Sequence, residues 1–177
     1  SNAADAKGLL KAACRMNNPV LFFEHKGLYR QGYATSKEPD KDYCLNFGKG
    51  KIIKEGEDLS IITWGALVQK SLDAAKQSGY SVEVIDLRTL YPLDLDLILN
   101  SIEKTNRAIV VHEDNLTGGF GGEISSLINE HAFELLDAPV KRVASKDIPV
   151  AYSANLEDQI LVQTDWILDS IKEVVEY

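Results

Sequence analysis

The sequence predicts an α/β protein, a three-layer α/β/α sandwich around a mostly parallel five-stranded sheet. Three observations predict it. Short apolar runs rich in β-branched residues, at 59–63, 82–85 and 107–111, alternate with helix-length amphipathic stretches, the pattern that builds a parallel sheet covered on both faces. The runs are apolar at successive positions, as expected of strands buried on both sides. The run at 107–111 then passes through Gly118, Gly119, Gly121 and Gly122 into a helix, the corner at which a strand's carboxyl end turns back over an open sheet.

In chain order, residues 4–16 carry a short helical pattern with Leu9, Leu10, Ala13 and Cys14 on one face, ended by Asn17-Asn18-Pro19. Val20-Leu21-Phe22-Phe23 follows as a buried strand. From about 26 to 50 the periodicity stops and Gly27, Gly32, Pro39, Gly48 and Gly50 punctuate a polar stretch. Its length exceeds the usual connection within a compact domain, which predicts an interdomain linker. Tyr29, Tyr33 and Tyr43 predict that this linker lies against something. Ile52-Ile53 is a short strand, Gly56-Glu57-Asp58 a turn, and 59–63 a stronger strand. The next helix turns Leu67, Val68, Ser71, Leu72 and Ala75 inward and stops near Gly79. After the strand at 82–85, Pro92 and Asp94 open a helix with Leu95, Ile98, Leu99 and Ile102 at helical spacing. The run at 107–111 reads as the central strand. Beyond the glycine corner, Ile124, Leu127, Ile128 and His131 form another such stripe. Residues 139–143 are the last strand, edged by charge. After a loop at 149–152, Thr164 caps a final helix whose inner face is Ile167, Leu168, Ile171, Val174 and Val175.

Apolar residues make up 45% of the 177, enough for one sizeable core. No apolar run nears the ~20 residues that span a bilayer, so no membrane partner is expected. Lys and Arg number 19 against 27 Asp and Glu, a net charge of -8. Without a basic stripe this argues against nucleic acid as a partner. Cys14 and Cys44 form no C-x-x-C pair, which reads as a reduced, cytoplasmic protein with both thiols as packing residues. Ser1-Asn2-Ala3 (residues 1–3) has the look of a tag remnant and is set aside.

The candidate chemistry centres on the stretch from His112 to Ile124. A dinucleotide loop wants G-x-G-x-x-G, but here the last glycine position holds Ile124. His112-Glu113 opens like a zinc-protease helix, yet Leu116 stands where the second histidine belongs. His112 lies at a strand's carboxyl end, where hydrogen bonding to the following loop competes with a catalytic role. Its neighbour Glu113 points to the opposite face, so the two need not share a site. Glu123 at a helix start is explained by the helix dipole. His131 reads as a partly buried packing residue. Asp86 and Arg88, at another strand's end, suit an ion pair as well as a ligand contact. No Cys/His metal cluster is visible. The residues themselves therefore point to a close-packed turn, with His112, Glu113, Gly118, Gly119, Phe120, Gly121, Gly122 and Glu123 as candidates for a subunit interface or a near-site position.

Three motifs add a resemblance. Glu24-His25-Lys26-Gly27-Leu28-Tyr29-Arg30, Val84-Ile85-Asp86-Leu87-Arg88-Thr89-Leu90-Tyr91-Pro92-Leu93-Asp94 and Val111-His112-Glu113 through Thr117-Gly118-Gly119-Phe120-Gly121-Gly122-Glu123-Ile124 resemble the beta subunits of thiamine-diphosphate-dependent 2-oxo acid dehydrogenases. Leu136-Asp137-Ala138-Pro139-Val140 and Arg142-Val143 extend the match. The resemblance implies a transketolase C-terminal domain over 51–177, preceded by an interdomain linker at 26–50 and the tail of a pyrimidine-binding domain at 4–25. It also implies that the first short strand, near 51–54, runs antiparallel to the rest. It implies oxidative decarboxylation of a 2-oxo acid, with acyl transfer to lipoyl groups of an acyltransferase core. Thiamine diphosphate and magnesium belong to the intact enzyme; no Gly-Asp-Gly motif occurs here, so no cofactor, metal or catalytic residue is assigned to this stretch. The implied partners are an alpha subunit or segment, a second beta copy and the small subunit-binding domain of the core. On this reading Gly121→Val weakens association more than folding. An acetoin dehydrogenase or transketolase-type domain, and a non-catalytic stand-alone interaction module, are the rival readings.

Overall fold

A computed structural model describes all 177 residues. Five strands, β1 (Lys51–Lys54), β2 (Leu59–Thr63), β3 (Val82–Asp86), β4 (Ala108–Asn115) and β5 (Lys141–Ser145), form one sheet in the order β1-β3-β2-β4-β5. β1 pairs antiparallel with β3, and every other pairing is parallel. The central position belongs to β2, not to the run at 107–111. Successive residues alternate between two apolar cores. Ile61, Val84, Ile109 and Val111 face α2 (Leu67–Gln77) and α6 (Thr164–Val175). Ile62, Ile85, Ala108 and Val110 face α3 (Leu95–Thr105) and α4 (Gly121–Ala132). Those are the three expected layers, and each fully buried Ile or Leu contributes about 1.5–3 kcal/mol.

Several local expectations are corrected. Residues 20–23 form no strand, and Leu21 and Phe23 are 84% and 89% exposed; no sheet strand pairs with them, and an apolar run without a partner leaves its backbone unsatisfied. β4 runs four residues past Val111, because a bulge re-aims it so that Asn115 pairs with Ser145. His131 is exposed; the buried position in the last turn of α4 is Ala132. Cys14 and Cys44 are both exposed free thiols. The residue before α6 is Gln163, with Thr164 already helical and no side-chain cap. A one-turn helix, α5 (Ala154–Glu157), was hidden in a loop too short to show a period. Tyr29 is 63% exposed; Tyr33, 51% exposed, edges a cavity against the domain, and Tyr43 packs against Gly8.

The first helix, α1 (Ala3–Ala13), buries Asp5, Gly8 and Leu9 rather than a Leu9–Cys14 face. Asn2, within the stretch read as a tag remnant, occupies its N-cap and accepts from the Asp5 amide at 3.0 Å. Its main tether is polar. Arg88 donates through Nε and a terminal nitrogen to the Asp5 carboxylate at 3.0 and 2.8 Å. Arg88 sits at φ 59°, a costly region for a side chain with a Cβ. The Asp86 carboxylate holds that turn by accepting the Arg88 amide at 3.0 Å. Arg88 therefore pairs with Asp5, not with Asp86. Replacing Arg88 by Ala leaves a buried carboxylate unpaired, a loss of about 3 kcal/mol at most, because α1 can lift away instead. Hydrogen exchange checks this: α1 amides lose protection while β2 and β4 keep theirs, and equal loss in both would show a global role.

Candidate functional site

The rim formed by the carboxyl ends of the parallel strands collects most of the candidate residues. β2 and β4 are neighbours whose following helices, α2 and α4, leave to opposite faces of the sheet. Such a divergence opens a crevice, the usual ligand position in open α/β sheets. His112 and Glu113 stand on opposite sides of it, as strand alternation requires.

His112 turns under α4 and is fully buried. It does not hydrogen bond to the following loop, and neither ring nitrogen has a partner. Its ring stacks on Trp64, with centroids 5.7 Å apart and planes 1° from parallel. Phe120 meets Trp64 edge-on at 6.4 Å and 85°. Two glycines close the seat. A Cβ at Gly119 would lie 2.5 Å from His112 Cε1, and one at Gly121 would collide with Cδ2 and Nε2 of the same ring. These glycines are required for close approach. Burial pushes the imidazole below its ordinary pKa; the Asp114 charge opposes this and Arg142 adds to it. The ring is sealed from solvent, and its contacts are packing ones, with Trp64, Gly119 and Gly121.

The rest of the loop faces out. Gly118, at φ 77°, and Glu123, in the first turn of α4, are exposed. Gly122 lies beside Arg142, whose guanidinium donates to the Leu116 carbonyl at 2.8 Å. Thr117 donates its amide and hydroxyl to Asp147 at 2.9 and 2.7 Å. These bonds hold the Asp147 carboxyl below the usual range. They also tie the glycine loop to the segment carrying exposed Ile148, Val150, Tyr152 and Leu156.

Glu113 turns the other way. His25 Nε2 lies 2.9 Å from its Oε2, and both line a cavity of about 180 Å³ with Leu28, Leu67, Lys70 and Val162. Sequence reasoning missed Trp64 and Lys70. Trp64 follows β2 directly, where an aromatic at a strand's carboxyl end was a usable signal; Lys70 offered none, being one lysine on an amphipathic helix. A larger trough of about 700 Å³ between α2 and α6 is open and walled by Asp73, Asp158 and Asp165. No group of three or more His, Cys, Asp or Glu converges as a metal site. No helix is long and apolar enough to cross a membrane.

Comparison with known proteins gives this geometry a context. Residues 48–167 match the family described as "Transketolase, C-terminal domain". The chain is 42% identical to the pyruvate dehydrogenase E1 component subunit beta, mitochondrial, of Dictyostelium discoideum, over 99% of this chain and 50% of that protein. It is 41% identical to the 2-oxoisovalerate dehydrogenase subunit beta of Bacillus subtilis, over 100% of this chain and 55% of the relative. The chain thus spans about half the length of the curated relatives it matches. Among solved structures, one described as "Split gene transketolase, inactive beta4 tetramer" superposes with a TM-score of 0.66 at 23% identity, over 81% of this chain and 47% of that one. That likeness concerns the fold.

Proposed function

The chain belongs to the transketolase C-terminal domain family, and from that premise we propose that it is the assembly domain of a thiamine-diphosphate-dependent 2-oxo acid dehydrogenase. The observation that carries the reading is the identity of 41–42%, along nearly the whole chain, to beta subunits of both pyruvate and 2-oxoisovalerate dehydrogenases. The reaction is oxidative decarboxylation of a 2-oxo acid, with the acyl group passed to a lipoyl group of an acyltransferase core. On this reading the protein works in the cytoplasm.

The residues present do not fit the cofactor, so no catalytic step is derived through them. Thiamine diphosphate with magnesium needs converging oxygen ligands and room for two rings and a diphosphate. The cavity of about 180 Å³ is below the roughly 300 Å³ where such pockets begin. The α2–α6 trough, with three aspartates against the one lysine, Lys76, has a net negative lining that repels a diphosphate.

The contribution of this domain is a shaped surface. Buried His112, Gly119 and Gly121 set the corner from beneath, Phe120 and Gly122 flank it, and Gly118 and Glu123 present it. Glu113 stands on the far side of β4, towards His25. The neighbouring apolar patch, where Tyr152 is fully exposed and Val150 and Leu156 are 54% and 52% exposed, supports protein contact. An alpha subunit and a second beta copy are the proposed neighbours, and the core's small subunit-binding domain is the proposed docking partner. A net charge of -8 speeds encounter with a basic partner. Isothermal titration of this chain with thiamine diphosphate and magnesium tests the reading: no saturable heat is expected, and micromolar binding would overturn it.

A further inference from the structure

We propose that the cavity between residues 25–33 and the carboxyl ends of β2 and β4 binds a small aliphatic monocarboxylate. This site is independent of the assembly role. Its walls are Leu28, Ala66, Leu67, Leu161 and Val162, aliphatic apart from Gln31, Tyr33 and three ionisable groups. Two of those groups pair with each other, His25 Nε2 with Glu113 at 2.9 Å, which leaves only the buried Nδ1 of that ring without a partner. The third is Lys70. An ammonium carries three donors, and Lys70 spends two, on the Val162 carbonyl at 2.6 Å and Gln163 Oε1 at 3.3 Å. Both acceptors are uncharged. A half-buried cation with a spare donor, set in an aliphatic hollow, calls for one negative charge on an aliphatic body.

Size and charge narrow the class. At about 30 Å³ per water, the cavity of about 180 Å³ holds an acid of roughly four to six carbons. Nucleotides and aromatic cofactors exceed it. A dicarboxylate brings its second charge against the leucines or against Glu113, and an amine loses the Lys70 contact and meets its repulsion. The position fits as well, because this crevice lies where the chain diverges from two adjacent parallel strands. Residues 25–33 form its outer wall, so occupancy fastens that segment to the domain.

The test is methyl NMR of this chain with butanoate and its uncharged isostere butanamide. Saturable shifts are expected at the methyls of Leu28, Leu67, Leu161 and Val162, with Kd of ~1 mM for a ligand of this size. Butanamide should bind ~10-fold more weakly. Lys70→Met should weaken butanoate ~10-fold and bring it level with butanamide. Ala66→Leu, which narrows the cavity from its wall, serves as the second variant should Lys70→Met fail to fold, and should abolish the shifts. No methyl shift at ~50 mM butanoate, equal binding of acid and amide, or unchanged affinity in a folded Ala66→Leu chain would each overturn the proposal.

Discussion

Gly121→Ala lowers the stability of this domain by about 3 kcal/mol, at the upper end of what overpacking costs. Alanine is the better helix former, with an intrinsic gain of about 0.5–1 kcal/mol over glycine. Sterics outweigh it here, because the added methyl collides with the His112 ring. The ring cannot retreat, being fully buried and stacked on Trp64. In a domain of this size such a loss moves Tm down by roughly 6–12 °C. Sequence reasoning expected Gly121→Val to affect association before folding; with this glycine buried against an imidazole, folding suffers first. A double-mutant cycle with His112→Ala decides. Removing the ring frees the space, so the pair should recover at least about 1 kcal/mol relative to the sum of the single changes. Additive effects in urea denaturation would show that the collision is not the cause.

Stability falls as pH drops below about 6.5, with a slope of up to about 1.4 kcal/mol per pH unit contributed by His112 alone. The sign follows from the direction of its shift. Burial lowers the folded-state pKa, so between that value and the ordinary one the unfolded chain binds a proton that the folded chain refuses. Nothing is lost above the ordinary value, and the loss stops growing once pH passes below the folded value. Protonation also asks an imidazolium to sit without a hydrogen-bond acceptor on either nitrogen. His112→Phe keeps an aromatic ring over Trp64 and removes the titration. Subtracting its urea-derived stability from the parent's, between neutrality and mild acid, isolates the contribution of His112. A parent and variant with parallel pH profiles would dispose of it.

The apolar runs made the sheet and its two helical layers legible, because strands buried on both faces leave an unmistakable local signal. Ile61-Ile62, Val84-Ile85 and Ile109-Val110 each send one side chain to each core. What periodicity could not reach was set by contacts distant in sequence. Val20-Leu21-Phe22-Phe23 has strand composition but no pairing partner. His-Glu-Asp-Asn after Val111 looks like a turn, yet it continues β4 because Asn115 finds Ser145 across a bulge. His131 keeps the helical spacing, but in the last turn of α4 it is Ala132 that packs into the core. At the site, the glycines were visible while their purpose was not. Nothing local says that positions 119 and 121 fold back onto the side chain at 112, or that the tryptophan after β2 supplies the other face. The His25–Glu113 pair spans 88 positions, and no motif of adjacent residues encodes it.

The reversed direction of β1 decides where the preceding chain is delivered. Lys51 lies opposite Asp86, so residues 1–50 enter the sheet beside the end from which the parallel strands exit. That address explains why Asp5 finds Arg88 and His25 finds Glu113. Had β1 run with its neighbours, the same segment would arrive one strand length away, roughly 16 Å at 3.3 Å per residue. A single change of polarity at the border of the sheet thus converts an upstream tether into a cover for the rim.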